Sequence, residues 1–398
     1  MREIMKILVA DKVSDELIAR LTALGAEVIY SPDLNADSLP DAIGNALVLI
    51  VRSTRVTEKT ITAGTHLSLI VRAGAGVNTI DLETASNLGI YVANCPGMNT
   101  DAVAELVIGL LISVDRGITD ATHALRCGQW QKKRFGKAKG LKGRTLGIVG
   151  TGKIGLAVAK RAKALEMQVL AWSRSLTPER AEELGIEYAA TLKELAEKAD
   201  AVTVHLASNK DTNKLINKEF FESLKPEVIF LNASRGDIID HEALVKAIST
   251  KGLRVGLDVY EDEPAGGEAP FEQKDLASLV TCTPHIGAST DQATEAIANE
   301  VFNIVQSFAR KGQPVNVVNL REPATDENKM IIRHFNHVGV LARVLTMLRD
   351  EDINIEEMQN AVFKTNKAAC CTLSLDRLPS DAVIQALNED GDVIEVLK

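Results

Sequence analysis

The chain is expected to fold as α/β, with two doubly wound parallel-sheet units followed by a small ferredoxin-like βαββαβ unit. Three observations predict this. Short apolar runs alternate with amphipathic ones through most of the 398 residues. One such run leads straight into a glycine-rich turn and then a helical pattern. Past a polar stretch at 316–328 the rhythm changes to that of a separate small unit. The length itself exceeds what one compact core holds and points to two or three domains.

The elements follow in order. MKILVA, AEVIY, ALVLIVRS, LSLIVRAG and IYVANC read as buried strands. Between them lie helical patterns such as SDELIARLTALG, with Ser14 as its N-cap. This βαβ rhythm calls for a parallel sheet with helices on both faces. Residues 100–128 read as one long helix starting near Asn99 or Thr100, its small apolar side chains suited to burial between domains or subunits. After the basic segment Lys132–Lys142 a second α/β unit begins at TLGIVG and continues through QVLAWS, DAVTVHL, VIFLNAS, RVGLDV and LVTCTP. Residues 291–312 form another long helix, and 316–328, polar and without period, form a linker. Strand KMIIRHF, helix VGVLARVLTMLRD, strands IEEMQNAVFKT and KAACCTLSL, helix SDAVIQALN and strand VIEVLK then give the βαββαβ order.

Composition narrows the function. Hydrophobic residues at 45% and charged ones at 25% are those of a folded globular chain. A formal charge of −9, from 45 basic and 54 acidic side chains, repels phosphate backbones, so nucleic acid is not an expected partner. The cysteines Cys95, Cys127, Cys282, Cys370 and Cys371 show no C-x-x-C spacing and read as buried thiols in a reducing compartment. No uncharged run reaches membrane-spanning length and no signal-peptide pattern opens the chain, so a cytoplasmic location with no membrane partner is expected. The histidines lack metal-ligand spacing, and no metal is expected.

The glycine turn is Gly150-Thr151-Gly152-Lys153-Ile154-Gly155, between a strand and a helix. In that context the pattern marks a Rossmann-like dinucleotide site. Gly150 permits the tight turn, Gly152 lets the backbone approach a pyrophosphate, and Gly155 allows close helix–strand packing. The helix N-terminus then offers free N–H groups to phosphate. The next strand ends at Trp172-Ser173-Arg174, without the acid that binds the ribose 2′-hydroxyl of NAD. Ser173 does not repel a 2′-phosphate and Arg174 suits one, so NADP is expected to be tolerated beside NAD.

Three further stretches carry reactive side chains just past strands, where doubly wound sheets bind ligands. NASRGDIIDHEAL holds Arg235, DVYEDEP holds Asp258 and Glu263, and TPHIGAST holds His285. Oxidising a 2-hydroxy acid needs a base for the hydroxyl proton while hydride leaves C2, a task suited to imidazole near neutrality. A carboxylate beside it, Glu263, stabilises the imidazolium and fixes its tautomer. Arg235 supplies a fork for the substrate carboxylate.

With these motifs, and with RAGAGVNTIDLETASNLGIYVANCPGMNTDAVAEL at 72–106, the chain over roughly 5–315 resembles the D-isomer-specific 2-hydroxyacid dehydrogenases. The last segment resembles an ACT regulatory domain. The resemblance implies a discontinuous substrate domain at 1–98 and 286–318, a cofactor domain at 99–285, a linker at 319–328 and the ACT domain at 329–398. It implies that Asp258 lies near the nicotinamide carboxamide, that Ala75 and Gly76 bind substrate with Arg235, and that Arg52 meets the substrate's far end. Trp130 and Lys132-Lys133-Arg134 match a segment that reaches a neighbouring subunit, so a homo-oligomer, dimer or tetramer, is expected. His334, Asn336 and Asn354 match serine-binding positions of feedback-inhibited relatives, with Val338 where many ACT domains carry proline. The implied reaction is hydride transfer at C2 of a phosphorylated glycerate at the entry to serine synthesis. An NADPH-linked glyoxylate or hydroxypyruvate reductase and an NAD(H)-sensing, corepressor-like binding protein are the alternatives.

Overall fold

The structure, a computed structural model, describes residues 4–264, 269–321 and 328–397. It divides into two compact units, Met1–Asn319 and Leu320–Lys398.

The first unit opens with β1 (Lys6–Val9), α1 (Asp15–Ala23), β2 (Glu27–Tyr30), α2 (Leu39–Ala42) and β3 (Val48–Val51). It continues with α3 (Glu58–Ala63), β4 (Leu69–Arg72), α4 (Leu82–Asn87) and β5 (Tyr91–Asn94). The Ser14 hydroxyl accepts from Leu17 N at 3.3 Å and caps α1 as expected. The five strands make one parallel sheet in the order β2-β1-β3-β4-β5. All four residues of β3 are buried, as a strand covered on both faces requires. β2 departs from the expectation of a buried strand: it is the sheet edge, and Ile29 and Tyr30 are exposed.

Next come α5 (Thr100–Arg116), α6 (Ile118–Arg126) and α7 (Lys132–Phe135). The single long helix expected over 100–128 is broken at Gly117, whose left-handed φ of 60° ends α5 while its N–H still caps Ser113 O. A glycine adopts that conformation without the Cβ penalty, so the chain can redirect there.

A second parallel sheet follows, built with β6 (Thr145–Val149), α8 (Lys153–Ala164), β7 (Gln168–Trp172), α9 (Pro178–Glu183) and β8 (Glu187–Tyr188). Then come α10 (Leu192–Lys198), β9 (Ala201–Val204), α11 (Lys218–Ser223), β10 (Ile229–Asn232) and α12 (His241–Lys251). β11 (Arg254–Leu257), α13 (Lys274–Leu279) and β12 (Thr281–Cys282) complete it. Its order, β12-β11-β10-β9-β6-β7-β8, reverses direction between β6 and β9, the switch point where such sheets hold nucleotides. α5 packs into this second core through Val103, Val107, Leu110 and Val114. α14 (Asp291–Lys311) returns to the first sheet, burying Ile297, Val301, Ile304 and Val305 against Ile7, Val9 and Val71.

Residues 316–319 are not linker. Val318 N donates to Val92 O at 2.8 Å, and Asn319 Oδ1 accepts from Val92 N at 2.8 Å, fastening the segment along β5. Exposed edge backbone gains hydrogen-bond partners by this pairing, which outweighs the polar composition of the segment. Residues 322–327 of the expected linker lie outside the described residues.

The second unit contains β13 (Lys329–Phe335), α15 (Val340–Asp350), β14 (Ile355–Val362), β15 (Ala368–Leu375), α16 (Asp381–Glu389) and β16 (Val393–Leu397). Its antiparallel sheet runs β14-β15-β13-β16, the ferredoxin-like order expected. One face is covered where Val340, Val344, Leu348 and Leu387 meet Met330, Ile332, Cys371 and Leu373.

The thiols are not all buried. Cys95 and Cys371 are, but Cys127 at the end of α6 and Cys282 in the two-residue edge strand β12 are exposed. Among the described residues no helix is long and apolar enough to cross a membrane.

One buried ion pair locks the base of the second sheet. Asp115, 1% exposed, takes Arg144 Nη1 at 3.0 Å and Gly140 N at 3.1 Å, with Arg254 at 3.8 Å. Removing one member strands the remaining charges. Asp115→Ala is therefore expected to lower unfolding free energy by about 3 kcal/mol, read by urea denaturation.

Candidate active site

The glycine turn joins β6 to α8 and sits at the switch point. Gly150 has φ +101°, and a Cβ there would strike the carbonyl of His205 at the end of β9. A Cβ on Gly155 would collide with the Gly150 carbonyl, whereas one on Gly152 would meet nothing within 4 Å. The first and last glycines thus compact the turn, and the middle one leaves open space before the N-terminus of α8. Ile154 packs against the core beneath, and Lys153 reaches across the cleft to Pro96 O at 3.3 Å.

At the end of β7 the Ser173 hydroxyl accepts from Thr151 Oγ1 at 3.0 Å, tying the strand end to the glycine turn. Arg174 does not stand free: its Nη1 meets Asp211 Oδ2 at 2.9 Å, both side chains being exposed.

The three expected reactive side chains come together. His285 Nδ1 lies 2.5 Å from Glu263 Oε2, and the other Glu263 oxygen accepts from Tyr260 N at 2.8 Å. Burial raises the Glu263 pKa, but the His285 contact, the Tyr260 N–H and the Arg235 charge outweigh it and hold it below its ordinary value. His285 has φ 52°, a left-handed backbone, and its N–H donates to Asp258 O at 2.9 Å. Asp258 is 1% exposed; Oδ1 accepts from Thr283 Oγ1 at 2.6 Å and Ile286 N at 2.8 Å, and Oδ2 accepts from Gly287 N at 2.9 Å. Most of its hydrogen-bonding capacity therefore serves the loop that carries His285.

Arg235 points to the first sheet. A Cβ on Gly76 would lie 2.5 Å from Arg235 Nη2, so this glycine admits the guanidinium. Asn94 Nδ2 holds the neighbouring Ala75 O at 2.5 Å. Arg52 sits on a turn gathered by Asp11, whose Oδ2 accepts from the backbone N–H groups of Arg52, Ser53 and Thr54 at 2.6, 3.1 and 3.0 Å.

Arg72, at the C-terminal end of β4, lies near Arg235 and Arg52, and motif reading passed it over. Burial, reinforced by Arg235 and Arg52, draws its pKa down to about 10, and its Nε is buried with no hydrogen-bond partner. An arginine closing an apolar strand directly before the glycines of RAGAG was the available signal.

The candidate regulatory residues do not meet within one chain. His334 is buried, with Nδ1 on Phe335 O at 2.8 Å and Nε2 on Asn360 Oδ1 at 3.3 Å. Asn336 holds Asn366 O at 3.1 Å at the same end of the sheet. Asn354 precedes β14 and pairs with Asp376 at the opposite end. Among the described residues no cluster of three or more His, Cys, Asp or Glu side chains is arranged to hold a metal ion.

Comparison with known proteins agrees with this geometry. The family model described as "D-isomer specific 2-hydroxyacid dehydrogenase, NAD binding domain" matches residues 108–287. A hydroxypyruvate reductase of Thermotoga maritima is 41% identical over 277 residues, covering 69% of this chain and 88% of that protein. The chain belongs to the D-isomer-specific 2-hydroxyacid dehydrogenase family. A D-3-phosphoglycerate dehydrogenase of Archaeoglobus fulgidus is 40% identical over 319 residues, 79% of this chain; the match spans 59% of that relative's length. Among solved structures of the family's fold, an acyclic imino acid reductase in complex with NADPH and D-Arg superposes with a TM-score of 0.69 at 26% identity, covering 79% of this chain and all of that one.

Because Glu263 is held below its ordinary value of 4.5, its pairing stabilises the folded chain above that pH and is lost as pH falls through the lower folded value. The thermal midpoint of the native chain should exceed that of Glu263→Gln at about pH 6, and the gap should shrink towards about pH 4. Calorimetry of both proteins across that range checks this.

Proposed function

We propose that the chain is an NAD(P)-dependent dehydrogenase of a D-2-hydroxy acid carrying a second anionic group, with 3-phosphoglycerate as substrate. The observation that carries this is the set Arg52, Arg72 and Arg235. Burial first, and then the charges of Arg235 and Arg52, lower the Arg72 pKa against the opposing Asp11, and Arg235 also acts on Glu263 beside His285. A simple 2-hydroxy acid offers one carboxylate; three clustered cations call for more negative charge. The kinship to the Archaeoglobus enzyme supports the same substrate.

Gly150 and Gly155 compact the turn and Gly152 leaves room before α8, so these residues fit a dinucleotide. NAD(P), when bound there, supplies hydride exchange with substrate C2. Arg235 takes the carboxylate with the backbone at Ala75 and Gly76, orienting C2. His285 accepts the hydroxyl proton in oxidation and returns it to the carbonyl oxygen in reduction. Glu263 holds the imidazole through Nδ1, which leaves Nε2 for that proton, and Arg52 and Arg72 hold the phosphate.

Regulation and assembly extend the proposal. Among the described residues the outer edge of β14 pairs with no other strand, and most of its residues are exposed. Two-fold antiparallel pairing of this edge with a second copy brings Asn354 of one chain towards the Asn336 end of the other, completing a serine site. In the first unit Ile118, Leu125 and Trp130 are exposed beside Lys132-Lys133-Arg134, a surface suited to another subunit.

Steady-state turnover of 3-phosphohydroxypyruvate, hydroxypyruvate and glyoxylate with NADH and NADPH, with and without serine, tests this reading. A higher kcat/KM on glyoxylate or hydroxypyruvate makes the protein a reductase of those acids, as its kinship to the Thermotoga enzyme allows. NADH binding without turnover of any 2-oxo acid makes it a sensor. Arg72→Ala is expected to lower kcat/KM on the phosphorylated substrate about 10- to 100-fold, and on hydroxypyruvate by far less.

A further inference from the structure

We propose that Asp211 sets the cofactor preference, by occupying the arginine that would otherwise receive a 2′-phosphate. The inference rests on the dinucleotide reading of the turn between β6 and α8.

The strand end after β7 looks permissive for NADP, since Ser173 stands where an acid would exclude it. Two contacts change that picture. The Ser173 hydroxyl is engaged with Thr151 of the glycine turn. Arg174, the cation beside it, is bridged at 2.9 Å to a carboxylate from the loop after β9, on the far side of the switch point.

That loop is built to present the carboxylate. Asn209 Oδ1 accepts from Asp211 N at 2.9 Å and Thr212 N at 3.2 Å. The buried Thr212 hydroxyl bonds Ala207 O at 2.6 Å and accepts from Asn209 N at 2.9 Å. The backbone at Asp211 is thus held by bonds that do not involve Arg174, while its exposed carboxylate is placed by the bridge to that arginine.

A 2′-phosphate must displace Asp211 from Arg174 and then bear its repulsion at short range. A 2′-hydroxyl meets neither cost. The exposed pair is weak by itself, but the carboxylate converts a phosphate-binding cation into a neutral pair, and the repulsion adds to that. Lys210 flanks Asp211 in the same loop and is present in every variant, so its contribution cancels when the NADPH-to-NADH ratio is compared between variants.

The test is a fluorescence titration of NADH and NADPH into the full-length protein, with Kd as the readout rather than turnover. Asp211→Asn keeps the side-chain shape and removes the charge. It should improve the NADPH-to-NADH affinity ratio roughly three- to tenfold and leave NADH affinity within about twofold. In the Arg174→Ala background the same change should move the ratio less, because only the direct repulsion then remains. A ratio unchanged in Asp211→Asn overturns the proposal, as does an equal shift with and without Arg174. If the unaltered chain binds neither nucleotide, the dinucleotide reading fails and this inference falls with it.

Discussion

The site depends on one buried carboxylate, Asp258. Its two oxygens gather a hydroxyl and two backbone N–H groups from residues 283–287, and its own carbonyl accepts from His285 N at 2.9 Å. A left-handed backbone at a residue with a side chain costs of order 1–3 kcal/mol, and charge-assisted hydrogen bonds to a desolvated acid are strong enough to impose it. The imidazole is thereby aimed at Glu263 by the chain's path and not only by its side-chain rotamer. Thr283 and Gly287 are part of this device: a Cβ on Gly287 would come within 2.9 Å of the Asp258 carboxylate.

Around that anchor the charge distribution is uneven. A chain with a net charge of −9 concentrates Arg52, Arg72 and Arg235 at strand ends of two different sheets. Bulk charge therefore describes the surface that other macromolecules meet, and not the cleft. The Nε of Arg72 is one of several buried side-chain atoms that have no hydrogen-bond partner among the described residues.

Much of this was legible in the sequence because local chemistry carried it. The glycine spacing, the Ser14 cap and the strand-end positions of Arg235, Glu263 and His285 each follow from near neighbours in the chain. What was not legible depended on distant partners. Gly117 breaks a helix whose apolar pattern continues through it. β2 is apolar yet lies at an edge, which strand order alone decides. Residues 316–319 look like linker until β5 offers them an edge. Asp211 lies 37 residues from Arg174, and no periodicity links the two.

The two sheets contribute unequally to what must stay together. Gly76, Arg52 and Arg72 belong to the first sheet, while Arg235, Glu263 and His285 belong to the second, and the chain passes between them only after β5 and before α14. The approach of the Arg235 guanidinium to Gly76 is therefore a contact between the two sheets. The bond between His285 and Glu263 is made entirely within loops of the second sheet. A substitution that disturbs the approach of the two sheets would part Gly76 from Arg235 and leave the bond between His285 and Glu263 in place.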